Sequence, residues 1–332
     1  VGCIIEKNGS VISSGYTSCN GRPHAESNAL KKKINFKGAN IYSTLEPCSH
    51  YGKTPPCVNK IIKKGIKNVF FSIYDIDNRS KKKSKKKFRL HRIKTHSNLL
   101  EKKGRNFYRS YFNLHKNKLP LIDCKIAISK DYFTISKNSK WISNKYSRKI
   151  THLLRSRYNC IVSTSESINK DNSLLNCRIP GLEHKTPDLI IIDRNLKIRK
   201  NLKIFKNKMK RKIIIFTNSQ NQNKIKWLKQ QYKLKVILLK EMKSKDDFVL
   251  VFKYLIKMSY TRVLIESGLK FTNFLIKNKF FYNIYIFKTN IKLKKKGFNN
   301  EKVNLIKNIK LKNKLDVFLF NDELYKEKLN NV

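Results

Sequence analysis

The sequence predicts an α/β protein with two domains. Short apolar runs at 213–216, 236–239 and 282–287 have the length of buried strands, and stretches with helical periodicity lie between them. At 332 residues the chain is long enough to bury two separate cores. The Lys118–Pro120 segment follows a run rich in Lys and Asn, so we place the boundary there. The predicted domains are therefore 1–117 and 118–332.

A zinc site is the most specific feature of the first domain. His24, Cys48 and Cys57 supply one imidazole and two thiols, which are common zinc ligands. A catalytic zinc keeps three protein ligands and lowers the pKa of water in the fourth position to about 7. Glu26 follows His24 at the spacing of the carboxylate that moves protons in zinc deaminases. These four residues predict a deaminase.

Two short helices are predicted beside these residues. Residues 28–30 continue from Glu26 as a helix, and Pro55-Pro56 is typical of a helix start at Cys57. A helix N-terminus lowers the pKa of a thiol, which favours metal binding. A single His or Cys is more often structural, so each residue alone also fits a buried core side chain. Their joint order argues for the metal site.

The segment from Thr44 to Cys57 reads TLEPCSHYGKTPPC and resembles the signature of the bifunctional deaminase and reductase family of riboflavin biosynthesis. Nucleic-acid deaminases usually have two residues between their cysteines, whereas eight residues separate Cys48 from Cys57. In the family, the loop between the cysteines lines the substrate pocket. The resemblance therefore implies substrate contacts at His50, Lys53 and Thr54.

The resemblance resumes in the second half of the chain. Residues 125–129 resemble the first strand of the family's reductase domain, and residues 263–268 resemble its strand-to-turn element. A helix that begins after such a turn binds anions. The resemblance implies substrate contacts at Lys125, Ser139, Arg155, Leu175, Arg178 and Glu266. It also implies NADPH contacts at Ala127, Trp141, Ser167, Asp171 and Gly268.

Several of these reductase residues have a simpler interpretation. Trp141 and Leu175 fit core positions, and Arg155 alone fits a surface charge. Their combined spacing favours the reductase interpretation, although it is less specific than the zinc site.

The family resemblance implies both fold and function. The N-terminal domain would be a cytidine-deaminase-like three-layer α/β/α domain, and the C-terminal domain would be a dihydrofolate-reductase-like α/β domain. The first would deaminate 2,5-diamino-6-(5-phosphoribosylamino)pyrimidin-4(3H)-one with one zinc ion. The second would use NADPH to reduce the ribosyl group, giving 5-amino-6-(5-phosphoribitylamino)uracil. A homo-oligomer formed through the reductase domain is compatible with this assignment.

Three positions depart from the family pattern. The family has a helix before the first strand, but this sequence begins at Val1 without Met, so we interpret it as a fragment. The Asp-Pro-Asn-Pro turn of the family is replaced by residues 75–78, Asp-Ile-Asp-Asn. The family's Ser-Leu-Asp-Gly element is Ser129–Tyr132 here, where a tyrosine replaces a glycine that permits positive φ. These changes leave open a deaminase with a degenerate reductase domain, or a non-catalytic relic.

The lysine-rich run at 81–87 has two interpretations. One of its lysines could bind the ribose phosphate as a point charge. The simpler prediction, which we favour, is a disordered and solvated loop.

A net charge of +53 would ordinarily indicate a nucleic-acid partner, and a nucleic-acid deaminase is the alternative that it raises. The excess is mostly Lys, is spread along the whole chain and accompanies abundant Asn and Ile, as in an AT-biased genome. We therefore predict a small phosphorylated pyrimidine as the substrate, without a specific nucleic acid. The seven cysteines lack a disulfide-like pattern, and no apolar run reaches transmembrane length. A cytoplasmic protein without a membrane partner is expected.

Overall fold

The computed structural model describes residues 1–19, 21–206, 211–232 and 234–329. Its contacts divide the chain into two compact units, Val1–Lys116 and Asn117–Val332. The predicted domain bounds, with the deaminase at 1–117 and the reductase at 118–332, remain a prediction.

The first unit contains a five-stranded mixed sheet with the order β2-β1-β3-β4-β5. β1 pairs antiparallel with β2 and β3, while β3, β4 and β5 are parallel. The strands are β1 (Gly2–Lys7), β2 (Ser10–Tyr16), β3 (Asn40–Ser43), β4 (Asn68–Phe71) and β5 (Lys94–His96). The helices are α1 (Ala25–Ala29), α2 (Cys57–Lys63), α3 (Lys83–Leu90), α4 (Glu101–Phe107) and α5 (Arg109–Asn117).

One face of this sheet carries the core that positions α1 and α2. Alternate strand residues such as Ile5, Ile41 and Val69 are fully buried, as the two-residue period of a strand requires. They pack with Ala25 of α1 and Val58 of α2 in one apolar cluster. The predicted helix start at Cys57 is confirmed, because α2 begins there.

The second unit is built on an eight-stranded sheet with the order β11-β10-β9-β8-β12-β6-β13-β15. All neighbours are parallel except β13 and β15. These strands are β6 (Leu121–Ile128), β8 (Cys160–Thr164), β9 (Asp188–Ile192), β10 (Ile213–Thr217), β11 (Lys235–Leu238), β12 (Arg262–Ile265), β13 (Asn283–Lys288) and β15 (Glu323–Lys328). A separate antiparallel pair consists of β7 (Ile135–Ser136) and β14 (Gly297–Phe298).

Helices cover both faces of the large sheet. They are α6 (Lys145–Arg155), α7 (Ser165–Asp171), α8 (Lys203–Lys206), α9 (Gln222–Tyr232), α10 (Lys245–Lys257) and α11 (Leu269–Lys277). In β9, Ile190 belongs to the core on one face and Leu189 and Ile191 to the core on the other. This double burial explains why the strand is a continuous apolar run without alternation.

The predicted strands at 213–216 and 282–287 correspond to β10 and β13, and both are largely buried. The predicted strand at 236–239 is present as β11, but the prediction that it is buried is wrong. β11 forms the edge of the sheet, and Leu238 is 46% exposed. Sequence pattern could not show this, because an apolar run does not reveal how many neighbours a strand has.

The turn at Ser129–Tyr132 forms without its glycine. Tyr132 adopts a φ of +66°, and its N–H donates to the Ser129 carbonyl over 3.0 Å. Its ring packs beside the core, with Lys288 Nζ 5.2 Å from the ring centroid. The tyrosine thus occupies a left-handed conformation, which costs a residue with a Cβ about 1–2 kcal/mol.

Among the described residues, no helix has both the length and the apolarity to cross a membrane.

We predict that Tyr132→Gly is more stable than Tyr132→Ala by about 1 kcal/mol, because both lose the ring but only alanine keeps a Cβ at positive φ. The measurement is urea unfolding followed by tryptophan fluorescence. Both tryptophans, Trp141 and Trp227, lie in the second unit, so the signal reports that unit. The matched pair at Lys137, which has no positive φ, should show the reverse order. Equal stability of the two Tyr132 variants would contradict the interpretation.

Candidate active sites of the two units

The first site lies where α1 and α2 begin. His24 directly precedes α1, Cys57 is the first residue of α2, and Cys48 lies in the loop after β3. Their ligand atoms all lie within 4.8 Å of one another, forming the only group of possible metal ligands in the described part of the chain. The three segments that sequence spacing predicted to meet therefore do so.

The spacing of the three ligand atoms fits zinc. His24 Nδ1 is 3.4 Å from the Sγ atom of Cys48 and 3.4 Å from that of Cys57. Tetrahedral zinc with ordinary bond lengths would place such N and S ligands about 3.6 Å apart. The backbone N–H of Cys57 also donates to Cys48 Sγ over 3.3 Å, which stabilises a thiolate there.

The two thiols differ in acidity. A hydrogen bond from the Cys57 thiol lowers the pKa of Cys48 to about 4, and the same contact raises the pKa of Cys57 well above its usual range. The contact thus favours a thiolate at Cys48 and a proton on Cys57. Because zinc takes thiolates as ligands, metal binding releases that proton.

Glu26 is a buried carboxylate beside the ligands. It is 3% exposed, accepts a hydrogen bond from Ser43 Oγ at 3.2 Å, and has one oxygen 3.6 Å from Cys57 Sγ. Burial raises its pKa above the ordinary value for glutamate. A carboxylate with a raised pKa is a better general base, and Glu26 has the position for proton transfer without belonging to the ligand group.

A residue outside the loop between the cysteines, Ser80, contacts that loop. His50 Nδ1 is 2.7 Å from the hydroxyl of the fully buried Ser80. Lys53 is exposed and Thr54 is half-buried in the same loop.

Glu46 supports this arrangement, and sequence reasoning missed it. It is 2% exposed and accepts hydrogen bonds from the backbone N–H groups of Asp75, Lys82 and Ser84 at 3.0–3.3 Å, and from Ser84 Oγ at 2.6 Å. This one carboxylate thus fixes the segment that contains Ser80. Its place two residues before the ligand Cys48 was the available signal.

The prediction of a disordered loop at 81–87 is wrong. Residues 83–90 form α3, and Ser84 and Phe88 are buried on one of its sides. Lys87 Nζ donates to the Ser49 carbonyl over 2.7 Å, next to Cys48. Composition alone could not show this, because the helix depends on two small or apolar residues between lysines and on the buried Glu46.

The second site centres on a bidentate ion pair at the carboxyl end of β12, which lies beside β6 inside the sheet. Arg155, the last residue of α6, donates from Nε and Nη2 to the two carboxylate oxygens of Glu266 over 2.7 and 2.9 Å. Burial alone would raise the pKa of Glu266, but Arg155 and Lys125 lower it overall. Burial lowers the pKa of Lys125, which lies on β6 near this carboxylate. Arg155 is therefore committed to Glu266 in this structure.

Gly268 and Ser167 come together although 101 residues apart. The Gly268 N–H donates to Ser167 Oγ over 2.9 Å, just before α11 begins. A Cβ on Gly268 would lie 3.1 Å from Asn300 Nδ2 and 3.4 Å from Ser167 Oγ. The Ser167 hydroxyl, the Asn300 amide and the N-terminus of α11 are hydrogen-bonding groups that suit a phosphate of a dinucleotide. Asn300 is a second residue that sequence reasoning missed.

The other predicted residues are placed as follows. Ser139 and Trp141 lie on an exposed loop, where Arg148 approaches to 5.2 Å from the Trp141 ring centroid. Asp171 ends α7. Leu175 is buried in the core, so its side chain packs against apolar neighbours. Of the two remaining predicted residues, Ala127 lies on β6 and Arg178 is exposed.

Comparison with known sequences now identifies the two units. The profile of the RibD C-terminal domain matches residues 120–289, and that of the zinc-binding region of cytidine and deoxycytidylate deaminases matches residues 1–73. Riboflavin biosynthesis protein RibD of Aquifex aeolicus is 31% identical over 290 residues, covering 86% of this chain and 79% of the relative. The Buchnera aphidicola protein of the same description is 32% identical, covering 81% and 74%. The chain belongs to the RibD family.

A solved structure supports the same architecture for this RibD-family chain. The crystal structure of a diaminohydroxyphosphoribosylaminopyrimidine deaminase/5-amino-6-(5-phosphoribosylamino)uracil reductase from Thermotoga maritima matches with a TM-score of 0.81 and 25% identity. It covers 99% of this chain and 91% of its own. The predicted fold class, a cytidine-deaminase-like domain followed by a dihydrofolate-reductase-like domain, is confirmed.

The RibD-family chain is thus a bifunctional deaminase and reductase of riboflavin biosynthesis, with zinc and NADPH as cofactors. The residues present fit both groups, since the His24, Cys48 and Cys57 atoms have zinc-like spacing, and the Ser167 hydroxyl and the Asn300 amide lie beside Gly268 at the N-terminus of α11, where polar groups can bind a phosphate. The roles of individual site residues remain predictions.

We predict that Cys57→Ser lowers the zinc content well below one ion per chain and abolishes ammonia release, because a hydroxyl is a poor substitute for a thiolate ligand. Zinc analysis and an ammonia assay measure the two effects. Cys19→Ser is the control, because Cys19 is exposed and lies outside the ligand group. Full zinc content in Cys57→Ser would show that Cys57 is not a ligand.

For the lysine-rich run at 81–87, we predict that replacing Lys81, Lys85 and Lys86 by Ser changes the KM for the phosphorylated deaminase substrate by no more than about twofold. These side chains are exposed and solvated. The measurement is ammonia release at low and at physiological salt. A rise in KM of about tenfold or more would instead assign a phosphate contact to these lysines.

Proposed function

We propose that the first unit deaminates 2,5-diamino-6-(5-phosphoribosylamino)pyrimidin-4(3H)-one and that the second reduces its ribosyl group to give 5-amino-6-(5-phosphoribitylamino)uracil. The Thermotoga relative carries the names of these two activities. The observation that carries the proposal is the buried Glu26 beside three zinc-spaced ligands. That arrangement supports hydrolytic removal of an amino group from a ring.

In the deaminase half, Glu26 would perform the proton transfers. Bound zinc would lower the pKa of the attacking water. Glu26 would accept one proton from that water as its oxygen bonds to the ring carbon, and would deliver this proton to the ring nitrogen. It would then pass the remaining proton of the added hydroxyl to the amine, so that the C–N bond breaks, the carbonyl forms and ammonia leaves. Ser43 orients the carboxylate through its hydrogen bond. His50, Lys53 and Thr54 would contact the substrate from the loop between the cysteines.

In the reductase half, the protein would mainly position its two ligands, since NADPH supplies the hydride that reduces the sugar carbon C1. Gly268 and Ser167 would hold the cofactor phosphates, and the exposed Trp141 ring offers an apolar surface to the cofactor. The proposed cofactor contacts also include Ala127 and Asp171. The proposed substrate contacts are Lys125, Ser139, Arg155, Leu175, Arg178 and Glu266.

The Arg155–Glu266 pair refines these roles. Arg155 also donates to the Asn176 carbonyl over 3.0 Å, so its guanidinium is already extensively bonded. A direct bond to the substrate's anionic end would require rearrangement of these contacts. Arg178, which is exposed, reaches an anionic ligand at lower cost, and we assign the substrate phosphate primarily to Arg178.

Three further points are proposed for the whole protein. The chain would work in the cytoplasm, consistent with seven free cysteines. Its positive charge would raise the capture rate of a phosphorylated substrate and NADPH at low salt, without a specific nucleic-acid partner. Association through the reductase domain would give a homo-oligomer.

The test uses two variants of the purified protein, each expected to lose one activity and keep the other. Ammonia release is followed with the diamino substrate, and NADPH oxidation is followed separately with supplied deaminated product. We predict that Glu26→Gln lowers ammonia release by about 10²-fold or more and leaves NADPH oxidation intact. Glu266→Gln should give the reverse pattern, because Arg155 loses its charged partner.

Normal ammonia release by Glu26→Gln would overturn the assigned mechanism. Ammonia release without any NADPH oxidation by the unmodified protein would favour the alternative of a degenerate reductase domain.

A further inference from the structure

Arg178 lies in a cluster of positive charge in the reductase unit. Partial desolvation lowers its pKa, and the nearby Arg155 and Arg148 lower it further. Within the described part of the chain, no carboxylate lies within ion-pair distance of Arg178, and Arg155 occupies Glu266. This surplus charge suits an anionic ligand. The same repulsion would turn an unsupported Arg178 side chain away from its neighbours.

The buried His152 provides that support. It lies on α6, three residues before Arg155, and is 9% exposed. Its Nδ1 is 2.8 Å from the Asn176 carbonyl, and its Nε2 is 3.2 Å from Arg178 Nη2. A carbonyl only accepts and a guanidinium only donates. Arg155 Nη1 also faces Nδ1, but at 3.5 Å, so the 2.8 Å contact with the carbonyl decides that Nδ1 carries the proton and that Nε2 accepts from Arg178.

The surroundings keep this ring neutral. Burial lowers the pKa of His152 to about 4, and Arg155 lowers it next. The charged groups that act on the ring are Arg155, Arg178 and Glu266, and Glu266 is already paired with Arg155. A protonated ring would lose its acceptor and add a third cation. The neutral form with Nε2 free to accept is the one that can hold Arg178.

We propose that His152 is a positioning residue of the reductase, which holds the Arg178 guanidinium in place to bind the substrate's phosphate. The inference rests on the proposed contact between Arg178 and the substrate. It predicts that His152 acts on substrate binding through Nε2. A merely structural histidine would act through Nδ1 and its bond to Asn176.

Two amide substitutions separate these nitrogens. His152→Asn places a donor near the position of Nδ1 and has nothing at Nε2. His152→Gln places an acceptor near the position of Nε2 and loses the bond to Asn176. The assay is NADPH oxidation with the deaminated phosphorylated substrate, and with the same compound lacking its phosphate. Lys149→Ala, an exposed substitution on the same helix, is the control.

We expect His152→Asn to raise the KM for the phosphorylated substrate about tenfold with little change in kcat, because the charged Arg178 guanidinium loses the hydrogen bond that it donates to the neutral Nε2. His152→Gln should restore most of that loss. With the substrate lacking phosphate, His152→Asn should match the unmodified protein. Ammonia release and the tryptophan-detected unfolding midpoint verify that each variant is folded.

Arg178→Gln completes the design. If His152 acts through Arg178, the double variant with His152→Asn should be no worse than Arg178→Gln alone. An unchanged KM in His152→Asn, or equal losses in the Asn and Gln variants, would overturn the role of His152. An unchanged KM in Arg178→Gln would instead remove the proposed contact between Arg178 and the substrate. The His152 variants alone could not distinguish this failure from a failure of the role of His152.

Discussion

Buried carboxylates hold the loops of both units in place. The chain has 22 acidic residues against 75 lysines and arginines, yet seven of the acidic ones are buried. A buried charge is tolerated only when hydrogen bonds replace its lost water, so each carboxylate fixes the groups around it. Glu46 fixes the segment from Asp75 to Ser84, and Glu266 fixes the end of α6 through Arg155. The remaining buried acids are Glu26, Asp75, Asp123, Asp193 and Glu327.

The same principle applies outside the two sites. Asp123 accepts from the Tyr158 hydroxyl at 2.6 Å and from Asn283, which joins β6 to β13. Asp193 accepts from Ser165 Oγ at 2.7 Å and from the backbone after β9. The basic excess is therefore a property of the surface, while the scarce acidic residues organise the interior.

The two sites also share a principle of catalysis. Each site buries a carboxylate, Glu26 beside the zinc ligands and Glu266 beside Arg155. Electrostatic interactions are stronger in such a buried environment than in bulk solvent. In the deaminase, burial raises the pKa of Glu26 and makes it a better proton acceptor. In the reductase, Arg155 keeps Glu266 ionised despite burial. Burial raises the pKa of both glutamates, but Arg155 and Lys125 beside Glu266 outweigh it, whereas Cys48 adds to the rise at Glu26.

The sequence by itself determined the family, and it predicted the two-domain order and the four residues that the structure brings together in the first site, His24, Glu26, Cys48 and Cys57. These follow from residue types at fixed spacing, because a metal ligand set and its proton carrier demand particular side chains. Only the tertiary structure decided which strand lies at the edge, that the lysine run is helical, and that Tyr132 keeps a left-handed turn. It also revealed Glu46, His152 and Asn300. Their roles depend on partners far away in the chain, and a hydrogen bond across a long separation leaves no periodic signal in a single sequence.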